Sequence, residues 1–176
     1  ADLQIRRAAL LLDGAGDSLG AFEALSDVLS IDENNAKAIT RLSELSEDDD
    51  VGAEARQLLR RYHEENEGWS EVCELIRLDY ETLEDDSSRV QSLMELASIQ
   101  EAKLNEPAAA FASLAEAYGL TDGHLQLDNE LERLGFITES YGQLAMLWSE
   151  SAPLLGENEA ELRIRLAGLY EVHLDD

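Results

Sequence analysis

The stretch LASIQEAKLNE at residues 96–106 returns 70 positions later as LAGLYEVHLDD at 166–176, and this self-similarity restricts the fold more than any single motif does. Two further registers run beside it. At 89 residues, AFEAL (21–25) pairs with AFASL (110–114), and the same offset sets Ile31 against Leu120, Leu42 against Leu131 and Leu45 against Leu134. At 72 residues, Trp69, Val72, Leu75, Ile76 and Leu83 face Tyr141, Leu144, Leu147, Trp148 and Leu155. A unit repeated in this way buries its apolar face on its neighbours, because it cannot do so alone. The registers differ by roughly one helix with its turn, so the first unit is expected to carry an extra helix, either 34–46 or 51–66. The whole chain, 1–176, then reads as one segment of an array: unit one over about 1–87, unit two over about 88–157, and the start of a further unit at 158–176.

The repeating element is a helix. Val72, Leu75, Ile76, Tyr80 and Leu83 make one apolar stripe at helical spacing. Leu, Ala, Glu and Arg, which lose little rotamer freedom on a helix, supply most of the remaining sequence. Pro107 suits a first helical turn, and the acidic runs Asp48-Asp49-Asp50, Asp85-Asp86-Ser87 and Glu157-Asn158-Glu159 suit helix N-termini. These signals place helices near 3–14, 18–30, 34–46, 51–66, 68–84, 88–105, 107–119, 123–134, 138–153 and 158–174, with Pro153 kinking its helix. Links this short force neighbouring helices to run antiparallel. The expected fold is all-α: helix-turn-helix repeats stacked as a right-handed α-solenoid of about ten helices.

Residues 21–38, AFEALSDVLSIDENNAKA, resemble the second helix and linker of a tetratricopeptide repeat (TPR). Ala21 stands where that motif needs a small residue, Leu25 and Val28 where it faces the next repeat, and Asp32-Glu33-Asn34 where its Asp-Pro-Asn turn falls. LAGLY (166–170) resembles the first-helix pattern, and Phe111, Leu114 and Ala117 resemble the second. The resemblance covers nearly the whole chain as a divergent TPR-like array, similar to those of large bacterial proteins. It implies a protein-binding scaffold with a concave groove. The family's carboxylate clamp is not expected, because Arg60, Arg61, Arg163 and Arg165 lie on non-equivalent helices.

Little chemistry competes with that reading. Gly14-x-Gly16-x-x-Leu19-Gly20 misses the dinucleotide spacing and follows a helix, so it reads as a helix end and turn. The Asp48–Asp50 run lacks the alternating oxygens of a calcium loop. His63, His124 and His173 have no zinc spacing, and His124 and His173 are expected to face solvent. Cys73, the single cysteine, aligns with Ala145 and is expected to be a small buried packing residue. The aromatic residues fall mostly on expected core positions, Trp69 aligning with Tyr141. No enzyme activity, cofactor or metal is expected. Repeat logic leaves the apolar residues of 158–174 without a partner helix, so that face is expected to be exposed and to support self-association.

Charge bounds the partners. The chain carries 39 acidic and 13 basic residues, a formal −26, which repels nucleic acid and anionic membranes. Adaptation to a salty solvent accounts for such a surface, and so does a preference for basic proteins or peptides. No apolar run approaches the ~20 residues of a membrane-spanning helix. The chain begins at Ala1 rather than Met, so the natural N-terminus is expected to lie elsewhere; the compartment stays open, with the cytoplasm favoured. Self-repulsion of −26 charges weakens as salt screens it, so the melting temperature should climb from low to molar NaCl. A flat melting temperature across that range would show that repulsion is not a term in stability.

Overall fold

The computed structural model describes residues 1–121, 125–154, 156 and 159–174. Among them the chain is all-α, with ten α-helices and no strand. The helices are α1 (Asp2–Leu10), α2 (Ser18–Ile31), α3 (Ala36–Glu44), α4 (Gly52–Glu65) and α5 (Trp69–Thr82), then α6 (Asp86–Ala102), α7 (Pro107–Gly119), α8 (Leu125–Ile137), α9 (Tyr141–Ser151) and α10 (Glu159–Leu169). Local chemistry starts them. Asp17, Asn35 and Asp85 each accept a hydrogen bond from the backbone N–H three residues on, and Pro107 opens α7. Gly16, in the left-handed region at φ 64°, closes the π turn Leu11–Ala15 that widens the end of α1. Pro153 ends α9 rather than kinking it: the helix stops at Ser151 and tightens into a 3₁₀ turn, Ala152–Leu154, because a proline ring cannot continue the hydrogen-bond ladder.

The chain divides into two compact units, Ala1–Glu81 and Thr82–Asp176. In the first, each of α1 to α4 packs on its sequence neighbour and α1 also touches α3. Its core gathers Ala8, Ala21, Leu25, Val28, Ala38, Leu42, Ala55 and Leu59, with Leu75 of α5 joining them. In the second, α6 to α10 pack in the same serial way and α7 also touches α9.

The 89-residue register runs through the structure. Ser18 and Pro107 open α2 and α7, Ala36 and Leu125 open α3 and α8, and Gly52 and Tyr141 open α4 and α9, each pair 89 residues apart. Burial follows the same offset. Ala21, Ala24, Leu25 and Val28 answer to Ala110, Ser113, Leu114 and Ala117, and all are buried. So do Ala38, Ile39, Leu42 and Leu45 with Leu127, Asp128, Leu131 and Leu134. Among the described residues α1 to α5 precede the boundary near Glu81 and α6 to α10 follow it. The 70-residue register is not kept in burial. Leu96 and Ala97 are buried, whereas Leu166 is half-buried and Ala167 exposed. Of the 72-residue pairs, Val72 with Leu144 and Ile76 with Trp148 are both buried, and Leu155 lies outside the described residues.

One charged side chain is built into the first unit's core. Arg56 of α4, 7% exposed, donates through Nη1 to the Ser46 carbonyl at 2.5 Å and through Nε to Asp79 Oδ1 of α5 at 2.5 Å. Gly52, one turn earlier, lets the backbone come close; a Cβ there would stand 2.9 Å from the same carbonyl oxygen. Arg56→Ala leaves that carbonyl and Asp79 without their guanidinium, so urea unfolding should show a loss of about 2–3 kcal/mol. Arg60→Ala, whose pair with Glu64 is exposed, should cost under about 1 kcal/mol. Equal losses for the two would refute the anchoring role of Arg56.

Candidate functional site

In the second unit a trough lies over α7 between α6 and α8. Met94, Ala97, Ser98 and Glu101 come from α6, Leu114 from α7, and Leu127, Glu130 and Leu134 from α8, around a cavity of about 240 Å³. Helical spacing explains the lining: 94, 97, 98 and 101 share one face of α6, and 127, 130 and 134 one face of α8. Ala97, Leu114, Leu127 and Leu134 form a buried apolar floor, while Met94 is 43% exposed at the rim.

The acids of this trough are bridged by one cation. Arg133 of α8 donates through Nη1 and Nη2 to the two carboxylate oxygens of Glu101, both at 2.6 Å, and through Nη2 to Glu130 at 2.8 Å. This fork geometry suits guanidinium and carboxylate. Hydrogen bonding from Arg133 holds the Glu101 carboxyl below its ordinary range, and the two glutamates push Arg133 further up. The pair is half-exposed, so it orients α6 and α8 more than it stabilises them. Behind the floor, Ser113 of α7 donates to Gln100 Oε1 of α6 at 2.8 Å.

A second polar group is sealed inside the same unit. Asp128, Tyr118 and Trp148 are each at most 1% exposed, with Ser151 at 8% beside them. Neither Asp128 oxygen, nor Tyr118 Oη, nor Trp148 Nε1 completes a hydrogen bond with the described residues. Burial raises the Asp128 carboxyl; the nearby Tyr118 and Trp148 donors and Arg165 pull it part of the way back. Burial likewise pushes the Tyr118 phenol up to about 12. Arg165 is held at the edge by Glu161 at 3.2 Å, Glu132 at 3.4 Å and Asn129 at 3.2 Å. At the matching positions 89 residues earlier stand Leu29, Ile39, Leu59 and Tyr62, so the second unit carries polar groups in a site the first fills with apolar ones. The signal was present in the sequence: Asp128 lies within the stripe Leu127, Leu131, Leu134, where an acid breaks the apolar pattern.

The residues weighed for chemistry do not converge. Asp48 is a turn-former, accepting from Ser18 Oγ at 2.6 Å and from the N–H groups of Asp50 and Val51. His63 packs edge-on against Tyr62, and His173, exposed, stacks on Tyr141 with ring centroids 4.1 Å apart. His124 lies outside the described residues. Cys73 is half-buried rather than buried, because it sits one residue round the helix from the core face of Val72, Leu75 and Ile76. Trp69 and Tyr141 are half-buried as well. Arg60, Arg163 and Arg165 each pair with an acid one turn away on their own helix. Among the described residues no group of three His, Cys, Asp or Glu could hold a metal, and no helix is long and apolar enough to cross a membrane. Comparison with protein-family models, with curated proteins and with solved structures returns no match.

The buried carboxyl sets a pH dependence. Because its folded pKa is raised, the native state holds the Asp128 proton more tightly than the unfolded chain, and stability falls as pH rises through the folded value. Asp48, Asp85 and Glu101, whose pKa values are lowered, act in the opposite sense and lose their contribution as pH falls. Asp128→Asn removes only the first effect. Melts of both proteins from about pH 4 to about pH 7 should show the variant gaining on the wild type as pH rises. A constant gap would mean that Asp128 does not titrate in the native state over that range.

Proposed function

We propose that the chain is a non-enzymatic protein-interaction module, a segment of TPR-like helix pairs stacked as a right-handed solenoid, which holds a peptide in the α6–α8 trough. The observation that carries this is the trough itself, whose apolar floor is shared by α6, α8 and Leu114 of α7. Its volume of about 240 Å³ suits one or two apolar side chains rather than a whole cofactor. The net charge of −26 favours a ligand that carries Lys or Arg beside its apolar anchor, and at the rim Glu101 and Glu130 share the single cation Arg133, which leaves one negative charge in excess. The serial packing of helices and the 89-residue burial register support the repeat reading.

A second role, self-association as a structural spacer, is favoured by the exposure of Ile164 (73%) and Val172 (68%) within 158–174. Leu162 and Leu169 on the opposite side of α10 are buried.

The binding role is tested by selecting random peptides on the immobilised protein. Selected peptides should be apolar and basic, and Met94→Glu or Ser98→Arg at the trough should weaken them by about tenfold or more, the scale of losing one anchor side chain. Arg61→Glu on α4 should leave them unchanged. Peptides that bind all three variants alike would place binding elsewhere, and selection that enriches nothing would remove the function.

A further inference from the structure

Leu3, Arg6, Arg7 and Leu10 fall on one face of α1 at i, i+3, i+4 and i+7, and all four are exposed. Leu3 is 81% and Leu10 73% accessible. Among the described residues neither Arg6 nor Arg7 has an ion-pair or hydrogen-bond partner, although acids outnumber bases three to one in the chain. An apolar pair straddling two unsatisfied guanidinium groups is a cationic, half-apolar surface on an otherwise acidic protein. It calls for an acidic surface with apolar residues at similar spacing.

Among the described residues, one other helical stretch, α10 with the π turn that follows it, exposes two large apolar side chains at similar spacing. Ile164 and Val172 stand eight residues apart, Leu3 and Leu10 seven, which on a helix is about 12 Å against about 10 Å. The π turn Tyr170–Leu174 turns through a smaller angle per residue and so brings Val172 back toward the line of Ile164. Between them lie Ala167 and Gly168, both exposed, and a Cβ on Gly168 would meet nothing within 4 Å. A facing helix can therefore approach closely. Glu171 is exposed, without a partner among the described residues, and Glu161 is 60% exposed with only the 3.2 Å contact to Arg165.

We propose that α1 of one copy docks on the α10 face of a second copy, with Leu3 and Leu10 against Ile164, Ala167, Gly168 and Val172, and Arg6 and Arg7 meeting Glu171 and Glu161. The two surfaces differ, so the contact is heterologous, and each copy of a pair keeps its other face free to extend the assembly. The pairing specifies the self-association role and is independent of peptide capture in the trough.

The test uses the whole 176-residue chain and light scattering over a concentration series. Wild type should show a mass that rises with concentration beyond two copies. Arg6→Glu with Arg7→Glu in one variant, and Glu171→Arg in another, should each remain monomeric, with circular dichroism matching wild type. Mixed in equal amounts, the two variants should assemble again, since each reversed face then meets its complement. Leu10→Asp should also give a monomer. A wild type that stays monomeric overturns self-association altogether. A wild type that assembles while the variants do so equally, or a mixture that stays monomeric, overturns this pairing of faces.

Discussion

Close approach of helices at alanine underlies the rest of the structure. Ala8, Ala21, Ala38 and Ala55 in the first unit, and Ala110 and Ala117 in the second, have no accessible surface at all. A methyl side chain at the contact lets the flanking leucines of two helices interdigitate, and packing at interior density follows. Because the 89-residue offset places Ala8 opposite Ala97 and Ala21 opposite Ala110, both units solve the same packing problem at the same positions. The trough over α7 belongs to the second unit. It lies between α6 and α8, with Leu114 of α7 in its lining.

The two units differ in where they place charge. The first buries Arg56 and satisfies it with a carbonyl and a carboxylate. The second has Ala145 at that position and instead buries Asp128 among Tyr118, Trp148 and Ser151. A buried guanidinium with two acceptors can stabilise its surroundings, whereas a buried carboxyl without a completed hydrogen bond opposes folding. The second unit therefore carries an acid that responds to pH inside a core that otherwise would not.

Charge outside the core follows a simpler rule. Most arginines sit one turn from an acid on their own helix and are half-neutralised there, as Arg41, Arg60 and Arg163 are. Arg133 and Arg165 add a reach across to another helix, from α8 to α6 and from α10 to α8. Arg6 and Arg7 depart by reaching nothing among the described residues.

Helix content and helix starts were legible in the sequence, because capping side chains, Pro107 and apolar periodicity act over one or two turns. The 89-residue pairing of Leu42 with Leu131 and Leu45 with Leu134 was legible too, and it survives as shared burial. The residue at which packing divides the chain, Glu81, was not, since contacts between helices decide it. Nor was the exposure of Cys73, which depends on a rotation of one residue about α5. Arg56 resembles any other charged helix residue in one dimension, and Asp128 stands out only as an acid inside an apolar stripe. What makes Arg56 an anchor and Asp128 a buried acid is the set of neighbours that tertiary packing brings from other helices, and those lie 10 to 23 residues away for Arg56. Local interactions are written in neighbouring residues; burial is decided only when distant ones close over them.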